Sequence, residues 1–133
     1  MKVMIDTNIF ISAALFPNGL TAKALYKALS APYTPVTCDY VIDELERKFQ
    51  EKFPHRTTEM KAFLYSLMQS IQIVKTPTDV VEAESKIRDP KDRPILRPAL
   101  NSGADLFLTG DKDFFESSVD DPRIINVQDF ISL

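Results

Sequence analysis

The chain has 133 residues, 44% of them hydrophobic and 26% charged, with a formal net charge of −3; this ordinary globular composition is read as a single domain over residues 1–133. The one cysteine, Cys38, and the one histidine, His55, exclude an internal disulfide, a cysteine-rich zinc site and a histidine-rich transition-metal site, so any metal must be held by oxygen, which suits Mg²⁺, Mn²⁺ or Ca²⁺. No apolar run is long enough to span a membrane, Asp6 and Asn8 break the N-terminal run too early for a signal peptide, and a cytoplasmic location is expected.

Val3-Met4-Ile5 is a short apolar run that predicts a buried strand. It ends at Asp6-Thr7-Asn8, and Ile9 to Leu15 predicts a helix. Pro17-Asn18-Gly19 reads as a turn. Thr21 is then expected to cap a helix with Ala24, Leu25, Ala28 and Leu29 on one face. Tyr33 to Thr37 predicts a second strand. Asp39 is expected to cap a helix striped by Val41, Ile42, Leu45 and Phe49, which Pro54 stops. Thr58 opens another helix, with Phe63, Leu64, Leu67 and Met68 as its buried side, and Ile71 to Val74 predicts a third strand. Thr78 to Ile87 predicts a short helix, Asp89 to Pro94 a charged, proline-rich turn, and Ile95 to Leu100 a helix that Pro98 should kink. Leu106-Phe107-Leu108 predicts the fourth strand, followed by a short helix at Asp113 to Phe115, a fifth strand at Ile124-Ile125 and a last helical turn at Gln128 to Ile131. Strands alternate with helices throughout, and the strands are continuous apolar runs. Both features imply a parallel sheet between two helical layers.

In such sheets ligands bind beyond the carboxyl ends of the strands, where strand order reverses. Asp6 follows the first strand directly and Asp111 stands three residues after the fourth. If those strands are neighbours, the two carboxylates share one crevice. Glu44, early in the third helix, and Asp92, just before the helix of Ile95 and Ala99, are the other acids able to reach it. Carboxylates converging without cations raise one another's pKa; a divalent metal removes the conflict and is suited to phosphodiester hydrolysis.

Several pieces occur together in order: Val3-Met4-Ile5-Asp6-Thr7-Asn8, then Val41-Ile42-Asp43-Glu44-Leu45, then Asp89-Pro90-Lys91-Asp92-Arg93-Pro94-Ile95-Leu96, then Gly103-Ala104-Asp105-Leu106-Phe107-Leu108-Thr109-Gly110-Asp111-Lys112-Asp113-Phe114. In this arrangement the chain resembles the PIN domain family, nucleases of the VapC-like toxin type, over nearly its whole length. The resemblance implies a three-layer α/β/α fold with a parallel sheet of order 3-2-1-4-5, and cleavage of RNA with Mg²⁺ or Mn²⁺. It maps the family's acids onto Asp6, Glu44, Asp92 and Asp111, with Asp113 as a fifth metal ligand, and makes Asn8 and Thr109 supporting residues. It also implies homodimers and a small antitoxin protein; the early helices, with Phe10, Leu15, Phe16, Leu25 and Phe63, supply either that surface or core. Arg97 and Pro98 depart from the family's usual small or apolar residues after the third acid, so Asp89 stands as an alternative to Asp92.

Plainer readings exist for each residue. Asp6, Asp92 and Asp111 all stand where an acid caps a helix, and helical spacing alone does not choose Glu44 over Glu46. His55 reads as a loop residue and Cys38 as a small buried hydrophobe. The net negative charge argues against broad binding of nucleic acid but permits a local basic patch. Lys86, Arg88, Lys91, Arg93 and Arg97 form the densest basic stretch; Arg47, Lys48, Lys52 and Arg56 form a weaker one. Two other functions compete with the nuclease: a catalytically weak PIN-like RNA-binding or protein-interaction module, and a phosphatase with Asp6 as nucleophile. The second acid such a phosphatase wants two residues on is replaced by Asn8.

Overall fold

The computed structural model describes residues 1–133. Its five strands, β1 (Lys2–Ile5), β2 (Thr34–Cys38), β3 (Gln72–Val74), β4 (Leu106–Leu108) and β5 (Arg123–Ile125), form one parallel sheet of order β3-β2-β1-β4-β5. The expected order is therefore observed. Val3, Met4, Ile5, Val36, Phe107 and Leu108 are wholly buried, as continuous apolar strands must be when helices cover both faces. Pro35 is tolerated inside β2 because the register with β3 begins only at Val36.

The helices are α1 (Thr7–Leu15), α2 (Leu20–Ala28), α3 (Asp39–Lys52), α4 (Thr57–Met68), α5 (Leu96–Asn101), α6 (Lys112–Phe115) and α7 (Val127–Ile131). α1 packs on α2 and α3, α2 on α7, and α3 on α4, whereas α5 packs under β2 and α6 beside β5. Right-handed crossovers place these two groups on opposite faces of the sheet.

Several local expectations are corrected. α2 is capped by the backbone at Gly19, one residue before the helix, and Thr21 lies inside its first turn. α3 begins after Cys38; Asp39 is its first residue, and its carboxylate accepts from Tyr40 N, Thr76 N and Thr76 Oγ1 at 2.8, 2.9 and 2.6 Å. The acid thus ties α3 to the segment after β3. α4 buries Met60, Leu64 and Leu67, and leaves Phe63 and Met68 partly exposed. Of the helix expected over Thr78–Ile87, only a 3₁₀ stretch at Glu82–Lys86 forms. Arg97 donates to the carbonyls of Pro77 and Thr78, which holds that end of the segment out of a helix.

Pro98 does not interrupt its helix, which runs from Leu96 to Asn101. A 3₁₀ turn at Arg93–Ile95 leads into α5, which starts at Leu96, so Pro98 falls in the first turn. N–H groups there have no intrahelical acceptor, and proline loses nothing by lacking one. Cys38 is buried and His55 exposed, as expected. Phe10 and Leu25 are core, Leu15 and Phe63 are half-buried, and Phe16 is exposed.

The departure at Arg97 has a structural account. Its guanidinium grips Glu84 with two bonds of 2.8 and 2.9 Å, and both side chains are largely buried. Arg97 holds the Glu84 carboxyl below its ordinary range, so the pair is intact at neutral pH and is lost only in acid. Replacing Arg97 by Ala should destabilise the fold by more than the ~1 kcal/mol of an exposed pair, and up to the ~3–5 kcal/mol of a buried one. Urea unfolding at neutral pH measures this, and the loss should shrink as pH falls below Glu84's range.

Candidate active site

The chain runs outward from β1 to β3, then returns to β4 on the other side of β1. The reversal therefore lies between β1 and β4, and both strands end there in polar residues. Ile5 is level with Leu108, and Asp6 N donates to the Leu108 carbonyl at 3.1 Å. This register sets Asp6 directly beside Thr109.

Thr109 is wholly buried and Asp6 is 6% exposed. The Thr109 hydroxyl donates to Asp6 Oδ2 at 2.7 Å and accepts from Asp111 N at 3.0 Å. Asn8 makes a second tie: its Nδ2 donates to Asp6 Oδ2 at 3.0 Å while its Oδ1 accepts from Gly110 N at 3.0 Å. Asp6 Oδ1 accepts from Thr7 N and caps α1, and Asp111 Oδ1 accepts from Asp113 N and caps α6. Capping and convergence are thus the same arrangement: the bonds that end the strands and start the helices fix the two acids on one rim.

Glu44 and Asp92 lie within electrostatic reach of that rim. Burial pushes the Asp6 carboxyl up from 3.8 to about 6; its hydrogen bonds from Thr109 and Thr7 oppose this, and the charges of Glu44 and Asp111 add to it. Asp92 is pushed up to about 7, first by burial, then by the charge of Asp111 and a hydrogen-bonding contact with it, then by Asp6 and Asp89. The Asp92 side chain makes no capping bond to the turn that follows. Glu44 is mostly buried, whereas Glu46 on the same helix is exposed.

Asp113 stands differently. Both its oxygens are held by Arg88, at 2.9 and 3.1 Å. Asp89, Asp92 and Asp113 each present an oxygen within 4.8 Å of the others, so Asp92 belongs both to this group and to the rim. Asp89 also accepts from Lys91 N at 3.0 Å. Sequence reasoning missed Arg88 as the partner of Asp113, and it missed Tyr40, whose hydroxyl donates to the Lys91 carbonyl and clamps α3 to the Asp89–Pro94 turn. The available signal for Tyr40 was its place four residues before Glu44, on the same helix face.

Residues 2–113 match the sequence profile of the PIN domain. The chain belongs to the PIN domain family. An uncharacterized protein of Methanocaldococcus jannaschii is 28% identical over 118 residues, covering 85% of this chain and 72% of that protein. Among solved structures, this PIN domain is similar to VapBC2 of Rickettsia felis bound to a DNA fragment from its promoter, with a TM-score of 0.73 and 15% identity over 95% of this chain and 98% of the other. DNA-bound VapBC of Salmonella typhimurium gives a TM-score of 0.70 and 16% identity over 96% and 98% of the two chains. VapC20 of Mycobacterium tuberculosis, a toxin that cleaves the sarcin–ricin loop, gives 0.61 and 16% identity over 85% and 92%. At these identities the likeness is one of fold.

A carboxyl with a folded-state pKa above its unfolded value binds its proton more tightly when folded. Its favourable contribution is full below about pH 4 and is lost as pH rises through the folded value, near 6 for Asp6. In EDTA, the stability of Asp6→Asn relative to the parent should therefore rise between pH 4 and pH 7, by up to about 3 kcal/mol. Urea unfolding at the two pH values checks this; a difference that does not change with pH would contradict the raised pKa.

Proposed function

We propose that this PIN domain is a Mg²⁺- or Mn²⁺-dependent endoribonuclease that hydrolyses RNA phosphodiester bonds, and that it is the toxin of a toxin–antitoxin pair. One observation carries the reading: Asp6, Asp92 and Asp111 converge at the sheet's switch point, and none of them is paired with a protein cation. Structural acids of this burial are normally paired. The donor set is entirely oxygen and the raised pKa values mark negative charge that lacks compensation, so the residues present fit a hard divalent cation. Asp6, Asp92 and Asp111 would hold it, with Glu44 beside it directly or through water. Once bound, the cation supplies charge neutralisation and Lewis acidity at the scissile phosphate.

The remaining roles belong to the chain itself. Thr109 and Asn8 fix the rotamer of Asp6 and the path of Gly110-Asp111, so the ligand oxygens are placed before substrate arrives. Glu44, on a helix rather than a loop, orients the attacking water. Asp113, held by Arg88, is a supporting residue in this reading. The proline that left room for a catalytically weak module lies in the first turn of α5, where it does not disturb the Asp92 turn. The VapBC assemblies among the structural neighbours support a small antitoxin partner, and the exposed Phe16, Leu20 and Tyr26 offer apolar surface to such a protein or to a second copy in a homodimer. No helix is long and apolar enough to cross a membrane.

The test is cleavage of a mixed RNA pool with Mn²⁺, with Mg²⁺ and with EDTA. Activity should need the cation and fall at least ~100-fold in Asp6→Asn and in Asp111→Asn, while Glu46→Gln stays near the parent. Thr109→Val should weaken Mn²⁺ binding about 10–100-fold by calorimetry, and Thr109→Ser, which keeps the hydroxyl, should restore most of it. Cleavage that survives EDTA or Asp6→Asn would end the proposal.

A further inference from the structure

Beside the acidic rim lies a cleft of about 490 Å³, within the size range of ligand clefts. Arg47, Lys48 and Lys52 of α3 line it, with Lys91 from the turn before Asp92. Glu44 and Glu51 are its acids, so four cations face two carboxylates on a chain whose net charge is −3. The helix builds the stripe by spacing: positions 40, 44, 47, 48, 51 and 52 recur every three or four residues and share one face. The buried stripe of Val41, Leu45 and Phe49 holds that face outward. Lys91 is brought across by the bond from the Tyr40 hydroxyl to its carbonyl.

These cations are available in a way the arginines of the denser basic stretch are not. Arg88 and Arg97 are held in two-bond forks at 2.8–3.1 Å by Asp113 and Glu84, and Arg93 donates to the Ile87 carbonyl at 2.8 Å. By contrast Arg47 and Lys48 approach Glu44 only to 3.9 Å, Arg47 is 61% exposed, and Lys52 and Lys91 are exposed without an ion-pair partner. The cleft thus joins Arg47, Lys48 and Lys52 of the weaker basic cluster to Lys91 of the denser one, whose arginines are engaged elsewhere.

We infer that this cleft is a phosphate track that grips the RNA backbone next to the bond being cut. The inference rests on the nuclease reading and names where the substrate lies. Glu44 belongs both to the cleft and to the acidic rim, and Lys91 adjoins Asp92, so the track leads onto the acids. A strand with one phosphate at the rim carries its next phosphates outward. No protein cation pairs with the rim acids Asp6, Asp92 and Asp111, and the track offers four. Tyr40, the one hydrophobic residue of the lining, adds a ring of the kind on which bases stack.

The experiment is fluorescence anisotropy of the whole protein with a labelled single-stranded RNA in EDTA, where metal-dependent cleavage is silent, over a salt series. The double variant Lys52→Gln/Lys91→Gln should bind roughly tenfold more weakly at low salt, and its slope of log affinity against log salt should fall by about 0.7 per cation removed. Lys23→Gln/Lys61→Gln removes the same charge from exposed positions outside the cleft and should change neither. Matching thermal midpoints for the two variants show that both fold. Equal losses in the two variants, no loss in the first, or no measurable binding by the parent would overturn the track. So would retention of a polyglutamate peptide as strong as that of RNA through the same two lysines, which would point to an acidic protein segment. RNA bound through Lys52 and Lys91 but never cleaved with Mn²⁺ would instead remove the nuclease reading and leave the track.

Discussion

A single hydroxyl joins the two strand ends on which the site depends. Thr109 donates to Asp6 and accepts from the Asp111 N–H, and among common side chains only a hydroxyl does both from one atom. Serine would serve; valine would fill the same space and leave Asp6 short of a donor and the Asp111 N–H without its acceptor. Because the β1–β4 register sets Asp6 beside Thr109, this bond converts a backbone alignment into the position of a carboxylate. Asn8 repeats the device one step further out, joining Asp6 to the Gly110 N–H.

Neutral donors, however, do not neutralise charge. Asp6 accepts three hydrogen bonds, and its pKa still rises to about 6. Each bond to a charged group is worth ~1.5–3 kcal/mol, so burial outweighs them here. An arginine in place of any of these donors would lower the pKa and settle the charge within the fold. Two of the chain's guanidinium groups, those of Arg88 and Arg97, are held instead by Asp113 and Glu84. Acids placed by neutral groups and left without cations hold geometry and leave charge demand open, the combination a metal site needs before its ion arrives.

The sheet was legible in the sequence because its strands are short apolar runs that each end in a turn or an acid. Asp6 and Asp111 were legible for the same reason, being strand-end residues whose neighbours follow from topology. What escaped was set by contacts distant in sequence. Thr78 was expected in a helix, and nothing local shows that Arg97, nineteen residues later, takes its carbonyl. Asp39 looked like a cap, yet its oxygen is claimed by Thr76. Pro98 looked disruptive because the helix was expected to begin at Ile95; the 3₁₀ turn over Arg93–Ile95 moves the first α-helical residue to Leu96 and the proline into the turn where it is harmless. The choice between Glu44 and Glu46 needed the rotation of α3 about its axis, which its buried stripe sets only once the sheet is present.

The same long-range pairing separates the density of charge from its availability. Counting cations favoured Lys86 to Arg97, five in twelve residues. That stretch crosses the region where three acids, Asp89, Asp92 and Asp113, come together, and two of its arginines are engaged, Arg88 by Asp113 and Arg97 by Glu84. α3 carries fewer cations, but of its five acids Asp39, Asp43 and Glu46 lie outside the cleft, which leaves only Glu44 and Glu51 against Arg47, Lys48 and Lys52. Local field depends on which charges remain unspent after the fold has paired the rest. On a chain of net charge −3, an acidic rim and a basic flank can coexist only if the fold sorts charges this way. Glu44, loosely touched by Arg47 and Lys48 on one side and facing Asp6 on the other, stands on the boundary between them.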